Sequence, residues 1–314
     1  MKDFRNVIFV LVVLTFILQM YVMNQDAKAE ELATSKPTVA VSTFALYDIT
    51  KHITNETVNI VNILPFGVDA HSFEPTPKLM VSLAKSKLVL YSGAGLEPWT
   101  KGFHFTSRAV DISQYVKLRE LDAEEFEHHA HHDQQCVHNK IDPHYWLDIE
   151  NMKLAANIVT AELVKVLPKN EKVYTQNRDR YINLLNELDQ EYKNSLKECR
   201  VDTIITNHNA FTYLSQRYGF KVEALSGLSP DVQASAKDIT RLMHHIKESG
   251  VSTIFFESFV SDRVMKSIAH DTKVDVQVLQ PLGNITKKEE EEQLSYVDIM
   301  RDNLHKLHKA LMCK

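Results

Sequence analysis

Residues 170–198 read NEKVYTQNRDRYINLLNELDQEYKNSLKE, and this stretch carries one apolar stripe at helical spacing. The stripe consists of Tyr181, Leu184, Leu185, Leu188, Tyr192 and Leu196. Apolar residues three and four positions apart share one face of an α-helix. About 29 residues at about 1.5 Å per residue give a helix of about 43 Å, longer than one small domain needs. The stretch therefore predicts a rigid helix that joins two domains.

An alternation of strands and helices precedes this helix and restarts after it. Before it, strands are predicted at 38–43, 57–64 and 88–91, with helices at 45–53 and 77–86. After it, strands are predicted at 201–206, 220–225, 251–256 and 274–279, with helices at 210–218 and 235–249 and a closing helix. This alternation is typical of parallel sheets covered by helices. The predicted fold class is α/β, with two parallel-sheet lobes (residues 37–166 and 200–314) joined by one long rigid helix within residues 167–199.

The composition is that of a globular chain and excludes several classes of function. Of the 314 residues, 44% are apolar and 25% are charged, as in ordinary globular proteins. The net charge is −5, with acids and bases interspersed, which argues against nucleic-acid binding. The chain has only 8 glycines and no G-x-x-x-x-G-K-[ST] motif, so a phosphate-binding loop is not supported.

Residues 1–29 have the pattern of a signal peptide. Lys2 and Arg5 precede an apolar run at 7–23, and the sequence AKA at 27–29 offers a cleavage site of the A-x-A type. We therefore predict export to the periplasm, with cleavage after Ala29. An uncleaved membrane anchor is the alternative, although a run of about 17 residues is at the short limit for crossing a bilayer.

Three cysteines remain in the exported chain: Cys136, Cys199 and Cys313. In an oxidising compartment this number predicts one disulfide and one remaining thiol. Because Cys136 lies in a polar, histidine-rich segment, the pair Cys199–Cys313 is the favoured disulfide.

Histidine is the anomaly of the composition, with 15 residues, and three isolated histidines lie where a strand meets a helix. They are His71 in DAHSFEPTP (69–77), His144 in DPHYWLD (142–148) and His208 in TNHNAF (206–211). Ligands of open α/β sheets bind beyond the carboxyl ends of the strands. Three imidazoles with one further position are a familiar zinc arrangement. A lone histidine at a helix start is, however, more often a capping or surface residue.

The motifs DAHSFEPTP, DPHYWLD, TNHNAF and FFESFVSDR (255–263) follow one another across nearly the whole exported chain. In this order they resemble the periplasmic zinc/manganese receptors of bacterial ABC importers, the cluster A-I type of solute-binding protein. The histidine-rich segment makes the likeness greatest to the zinc receptors. The resemblance implies a metal site in the cleft between the lobes, with Zn2+ bound by His71, His144 and His208. It also implies a monomer that delivers zinc to a membrane permease with a cytoplasmic ATPase.

One position departs from that family. The family often has an aspartate in an Asp-Pro-Leu-Gly-like stretch near the last strand, whereas this chain has Gln280 before Pro281. The neutral amide, together with His208, favours zinc over manganese, which prefers carboxylate and carbonyl oxygens. The fourth position stays open to water, Gln280, Glu257 or a histidine of the histidine-rich segment. Glu257 either orients an imidazole N–H group or forms a structural ion pair.

Residues 123–140 (AEEFEHHAHHDQQCVHNK) have no apolar period and predict an exposed, acidic, His-rich loop. Its histidines form a candidate weak zinc site: His128, His129, His131, His132 and His138. The position of the loop just upstream of His144 favours capture and delivery of zinc, and a merely solvated loop is the alternative. A second acidic run, Glu289–Glu292, is interpreted as the solvated start of the closing helix, where the helix dipole favours negative charge.

Three other functions are alternatives to a high-affinity periplasmic zinc-binding protein. The first is a manganese or iron receptor of the same fold. The second is an exported zinc hydrolase with three histidine ligands, but no H-E-x-x-H or G-x-S-x-G motif is present, and we predict that the chain is not an enzyme. The third is a surface adhesin of the same fold, which the lack of a lipid-anchor cysteine near residue 29 disfavours.

Overall fold

The computed structural model describes residues 19–20, 36–121, 141–229, 234–258 and 262–314. Its first sheet is parallel, with the strand order β2-β1-β3-β4. The strands are β1 (Thr38–Val41), β2 (Asn59–Asn62), β3 (Leu88–Tyr91) and β4 (Arg108–Asp111). Helices α1 (Phe44–Thr54) and α2 (Pro77–Lys85) connect the first three. Val39 and Val41 in the central strand are fully buried, as expected of a parallel sheet covered on both faces.

A short antiparallel pair and two helices follow the first sheet. The pair is β5 (Arg119–Glu120) with β6 (Ile141–Asp142), and the helices are α3 (Ile149–Val166) and α4 (Glu171–Ser195). Two-residue strands carry no periodic pattern, so the sequence did not predict them. The predicted His-rich loop, with its five histidines and Cys136, lies outside the described residues.

The second sheet is also parallel, with the strand order β10-β9-β7-β8. The strands are β7 (Thr203–His208), β8 (Lys221–Ser226), β9 (Thr253–Phe256) and β10 (Asp275–Val278). The helices among them are α5 (Thr212–Tyr218), α6 (Ala236–Ser249) and α7 (Arg263–Thr272). The two parallel sheets confirm the predicted α/β fold class with its two lobes.

The acidic run does not begin the closing helix, and that interpretation of the sequence is wrong. The run forms a separate short helix, α8 (Lys287–Glu291), and the closing helix α9 spans Tyr296–Ala310. At the start of α8, Glu289 Oε2 accepts a hydrogen bond of 2.7 Å from the Thr286 backbone N–H, and Thr286 Oγ1 accepts one of 3.1 Å from the Glu289 N–H. This reciprocal capping box leaves Glu289 half-buried rather than fully solvated.

The long helix α4 has 25 residues and ends at Ser195, three positions before the predicted end. Its buried side includes Tyr181, Leu185 and Leu188, while Leu184 lies at the edge of the stripe with 36% of its surface exposed. The helix packs against α1 and α3 of the first lobe and against α9 of the second. One continuous apolar core therefore runs from the first sheet past α4 to the second sheet.

A segment of the second lobe is hydrogen-bonded directly to the first lobe. We call residues 281–285, which follow β10, the strap. The contacts are Phe44 N–H to Gly283 O (3.0 Å), Gly67 N–H to Ile285 O (2.9 Å), Trp146 Nε1–H to Pro281 O (2.7 Å), and Asn284 Nδ2–H to Pro65 O (2.7 Å) and Val68 O (2.8 Å). Buried backbone groups need such partners, so the strap fixes one lobe against the other.

The predicted disulfide is confirmed, because Cys199 and Cys313 are bonded. The bond joins the chain just after α4 to the chain just after α9 and closes a sequence separation of 114 residues. None of the helices within the described ranges is long and apolar enough to span a bilayer. Apart from residues 19 and 20, the predicted signal peptide lies outside those ranges.

Candidate metal centre

The three isolated histidines converge at the carboxyl edges of the two lobes. His71 lies in the connection between β2 and α2, His144 follows β6, and His208 is the last residue of β7. One nitrogen from each ring lies within 4.8 Å of the other two. The Nε2 atoms of His71 and His144 are 3.3 Å apart. These separations are those of nitrogen atoms that can bind one metal ion together.

The space between the rings is small and opens to solvent on the side of His71, which is half-buried. His144 and His208 are only 2% and 1% exposed, and the cavity that the three histidines line has a volume of about 20 Å3. A cavity needs roughly 10–15 Å3 of such volume to hold one water molecule. The site therefore has room for a single ion or water, and not for an organic substrate.

Asp142 orients the ring of His144. The His144 Nδ1–H group donates to Asp142 Oδ1 at 2.8 Å, and the Asp142 carboxyl is fully buried. The other oxygen, Oδ2, accepts a hydrogen bond from the hydroxyl of Thr212, the first residue of α5. A carboxylate on Nδ1 fixes the tautomer and turns the Nε2 lone pair toward the cavity. Asp142 was not predicted from the sequence, although an acid two residues before a candidate histidine is a signal for this role.

Glu257 lies against the ring of His208. Its Oε1 atom faces Nδ1 of the histidine, and the two side chains are 3% and 2% exposed. Burial on its own lowers the pKa of His208, but the charge and hydrogen bond of Glu257 outweigh this and leave that pKa raised. Of the two interpretations of Glu257, this contact favours the one in which it orients the imidazole.

The pKa of His71 is shifted in the opposite direction from the pKa of His208. Burial, together with the neighbouring rings of His144 and His208, sets the pKa of His71 well below its ordinary value. The backbone N–H of His71 donates to Asp69 Oδ1 at 2.8 Å, which holds the loop that carries the ring. A neutral imidazole is the form that binds metal, so the site keeps His71 ready to act as a ligand.

Gln280 does not line the cavity, whereas Pro281 and Gly283 beside it do. Its Nε2–H group donates to Ser258 Oγ at 2.8 Å and to Glu289 Oε1 and Oε2 at 2.8 and 2.9 Å. Its Oε1 atom is buried and has no hydrogen-bond partner among the residues that the structure describes. The amide is therefore committed to neighbours in its own lobe. A histidine of the His-rich loop was also a candidate fourth ligand, and that loop lies outside the described residues.

Three imidazole nitrogens with one further position suit a tetrahedral zinc ion. Imidazole suits zinc, copper, iron and nickel, whereas manganese, magnesium and calcium prefer oxygen ligands. The two carboxylates beside the rings, Asp142 and Glu257, compensate the positive charge of a bound dication. The chemistry of the site is therefore the capture of one borderline-soft divalent cation.

Comparison with known proteins agrees with this chemistry. The family model of ZnuA, the periplasmic component A of zinc-uptake complexes, matches residues 39–310. The chain is 31% identical over 296 residues to the high-affinity zinc uptake system protein ZnuA of Bacillus subtilis, a match that covers 93% of this chain and 91% of that protein. It is 26% identical over 292 residues to the zinc-binding lipoprotein AdcA of Streptococcus pneumoniae, a match that covers 90% of this chain but only 57% of AdcA.

Among solved structures, the fold is similar to the laminin-binding protein Lmb of Streptococcus agalactiae, described as a bifunctional protein with adhesin and metal transporting activity. The TM-score is 0.77 with 26% identity, and the match covers 88% of this chain and 99% of that chain. The family match extends from β1 to the end of α9 and includes both sheets, the strap and all three histidines. The chain therefore belongs to the ZnuA family of periplasmic zinc-uptake components.

Proposed function

We propose that this chain is a high-affinity periplasmic zinc receptor, which binds one Zn(II) ion between its lobes and delivers it to an ABC importer. The observation that carries the proposal is the convergence of His71, His144 and His208 on one small buried cavity. The zinc is cargo, and the three histidines are its proposed ligands. The names of the relatives in Bacillus subtilis and Streptococcus pneumoniae support the same metal.

The alternatives fit the site less well. A manganese receptor would need oxygen ligands, and all three converging donors here are imidazole nitrogens. A hydrolase needs room for a substrate beside the metal, which a cavity of about 20 Å3 does not give. The expectation that the chain is not an enzyme is confirmed by its family, whose description is that of an uptake component.

The partners and the processing are part of the proposal. An importer of this type consists of a membrane permease and a cytoplasmic ATPase, and we propose that this chain meets the permease as a monomer. We also propose export by the segment 1–29 with cleavage after Ala29. Mass spectrometry of the protein secreted from cells tests the cleavage, because the mature chain then begins at Glu30.

Competition with a chelator of known zinc affinity tests the proposed ligands. We expect His71→Ala, His144→Ala and His208→Ala each to abolish tight, equimolar zinc binding or to weaken it by at least about a hundredfold, because each removes one of three donors. His245→Ala is the matched control, since His245 is half-buried in α6 and away from the cavity. Three single variants that bind zinc as tightly as the unaltered protein would refute the site.

The His-rich loop is proposed as a separate weak site that collects zinc near the tight one. The segment has no apolar period in its sequence, and holding several of its side chains around a metal costs conformational entropy, so binding there is expected to be weak. Deletion of residues 124–140 should remove the weak equivalents in a zinc titration and leave the tight equivalent in place. Loss of the tight equivalent would mean instead that a loop histidine supplies the fourth ligand.

A further inference from the structure

Among the described residues, every polar group of Gln280 except the side-chain oxygen Oε1 has a hydrogen-bond partner. Its Nε2–H atoms reach Ser258 Oγ and both oxygens of Glu289 at 2.8 to 2.9 Å. Asn303 of α9 holds the backbone on both sides: the Gln280 N–H donates to Asn303 Oδ1 at 3.0 Å, and Asn303 Nδ2–H donates to Gln280 O at 2.7 Å. Gln280 and Asn303 are 1% and 0% exposed. The residue is fixed in position and in orientation.

The orientation of the Gln280 amide is set by charge. If the amide were flipped, its carbonyl oxygen would face the Glu289 carboxylate, and both groups only accept hydrogen bonds at that contact. In the observed orientation Oε1 is buried and has no hydrogen-bond partner within the described ranges, which costs free energy of desolvation. The hydrogen bonds that Nε2 makes to a charged acceptor compensate for this cost, because such bonds are stronger than neutral ones.

These contacts continue to the metal centre. Ser258, which receives one Nε2 hydrogen bond, directly follows Glu257, and Glu257 lies against Nδ1 of His208. Ser258 lies in a turn two residues after the end of β9. The Gln280 side chain therefore anchors the start of this connection at the residue next to the one that orients His208.

We propose that Glu289 and Gln280 are positioning residues for the zinc site, which act through Ser258 to hold the Glu257 carboxylate against His208. The inference rests on the proposed function, since it takes His208 as a zinc ligand. It also explains why an amide suits position 280 in this chain: a carboxylate there would face the Glu289 carboxylate at hydrogen-bond distance, and two such groups do not both stay ionised at low cost.

Exchange of the two side chains tests the proposal. Gln280→Glu places two carboxylates face to face, and Glu289→Ala removes the anchor, so we expect each to weaken zinc binding about tenfold or more, the range for lost partners of metal ligands. The double variant Gln280→Glu with Glu289→Gln restores one donor and one acceptor, and a glutamine still completes the capping box of α8. It should bind zinc within about threefold of the unaltered protein.

Glu291→Ala is the matched control, because it removes the same charge from the same short helix at an exposed position. We expect it to leave zinc binding unchanged. The visible absorption of the Co(II)-loaded protein gives a second readout, since it reports the geometry of the ligands. It should change in Gln280→Glu and return in the double variant.

Four outcomes would overturn the proposal, provided that His144→Ala abolishes tight binding in the same assay. If Gln280→Glu bound zinc as tightly as the unaltered protein or more tightly, the side chain at position 280 would either have no effect on the site or be a zinc ligand itself. Equal weakening of zinc binding in Gln280→Glu and in the double variant would show no coupling between positions 280 and 289.

If Glu289→Ala lowered only the unfolding free energy of the zinc-free protein, with unchanged zinc affinity, Glu289 would act as a helix cap alone. An unchanged Co(II) spectrum in weakened variants would exclude an effect on His208. Should His144→Ala leave zinc binding intact, it is the proposed function that fails.

Discussion

The opposite tuning of His71 and His208 predicts how zinc affinity depends on pH. Protons compete with zinc for each ligating nitrogen. Every proton that must leave on binding weakens the apparent affinity tenfold per unit fall in pH. Three ordinary imidazoles, with pKa values of about 6.5, would give a slope that approaches three about one pH unit below that value.

The structure predicts a staged slope instead. The pKa of His208 is raised by Glu257, so His208 takes a proton first, and affinity should begin to fall above about pH 6.5 with a slope of at most one. The pKa of His71 is lowered by burial and the two neighbouring rings, so His71 stays neutral there. Between about pH 5.5 and 6.5 the slope should therefore not exceed two, and it should reach three only at more acidic pH.

Competition titrations between about pH 5 and 8 on the unaltered protein and on Glu257→Gln measure this. The variant removes the charge that raises the pKa of His208, so its first fall in affinity should begin at lower pH. At pH 8 it should bind zinc about tenfold or more weakly, because His208 loses its orienting partner. A slope well above two between about pH 5.5 and 6, or a variant curve parallel to the original throughout, would refute the reasoning.

Three further predictions concern single side chains. Asp142→Asn should weaken zinc binding by about 10- to 100-fold, because His144 loses the carboxylate that orients its ring, whereas substitution of the exposed Asp271 by Asn should not change it. Equal zinc affinities of the two variants in chelator competition would contradict the role of Asp142. Leu185→Ala, at a position with 0% exposure, should lower the unfolding free energy measured in urea by about 2–5 kcal/mol. Leu184→Ala, at the edge of the apolar stripe of the same helix, should lower it by about 0.5 kcal/mol or less, and similar losses in the two variants would contradict the buried face assigned to α4. Replacement of Cys199 and Cys313 by Ser should cost about 2–5 kcal/mol of unfolding free energy, because the bond closes a separation of 114 residues, and an unchanged urea midpoint would contradict this.

The sequence predicted the parts of the fold that depend on local pattern. The strands around Val39 and Ile205 are short apolar runs, and α4 has a regular stripe, so both lobes and the long helix could be predicted within a few residues. The strand β4 was not predicted, and neither were β5 and β6, since two residues have no period. The acidic run was misassigned because charge alone does not show that Thr286 and Ser295 each start a helix of their own.

The sequence indicated the three candidate donors and one of their supports, Glu257, but not the other supports. His71, His144 and His208 stand in motifs, and motifs can be recognised in one dimension. The pairing of Asp142 with His144 needed the ring orientation, and that of Gln280 with Glu289 needed the fold to bring α8 back onto the end of β10. The contact between Gln280 and Glu289 depends on tertiary geometry, which no spacing in the sequence encodes.

The strap sets how the cargo can leave. A receptor whose halves swing apart can empty itself by thermal motion, but here any such swing breaks five hydrogen bonds together, from Phe44, Gly67, Trp146 and both donors of Asn284. The empty and loaded forms should therefore have nearly the same outline, and an importer that accepts only the loaded form must recognise local detail at the mouth of the cavity. Unloading then becomes a task for the importer, whose contact must supply the work of parting the strap from the first lobe or of displacing a histidine from the metal.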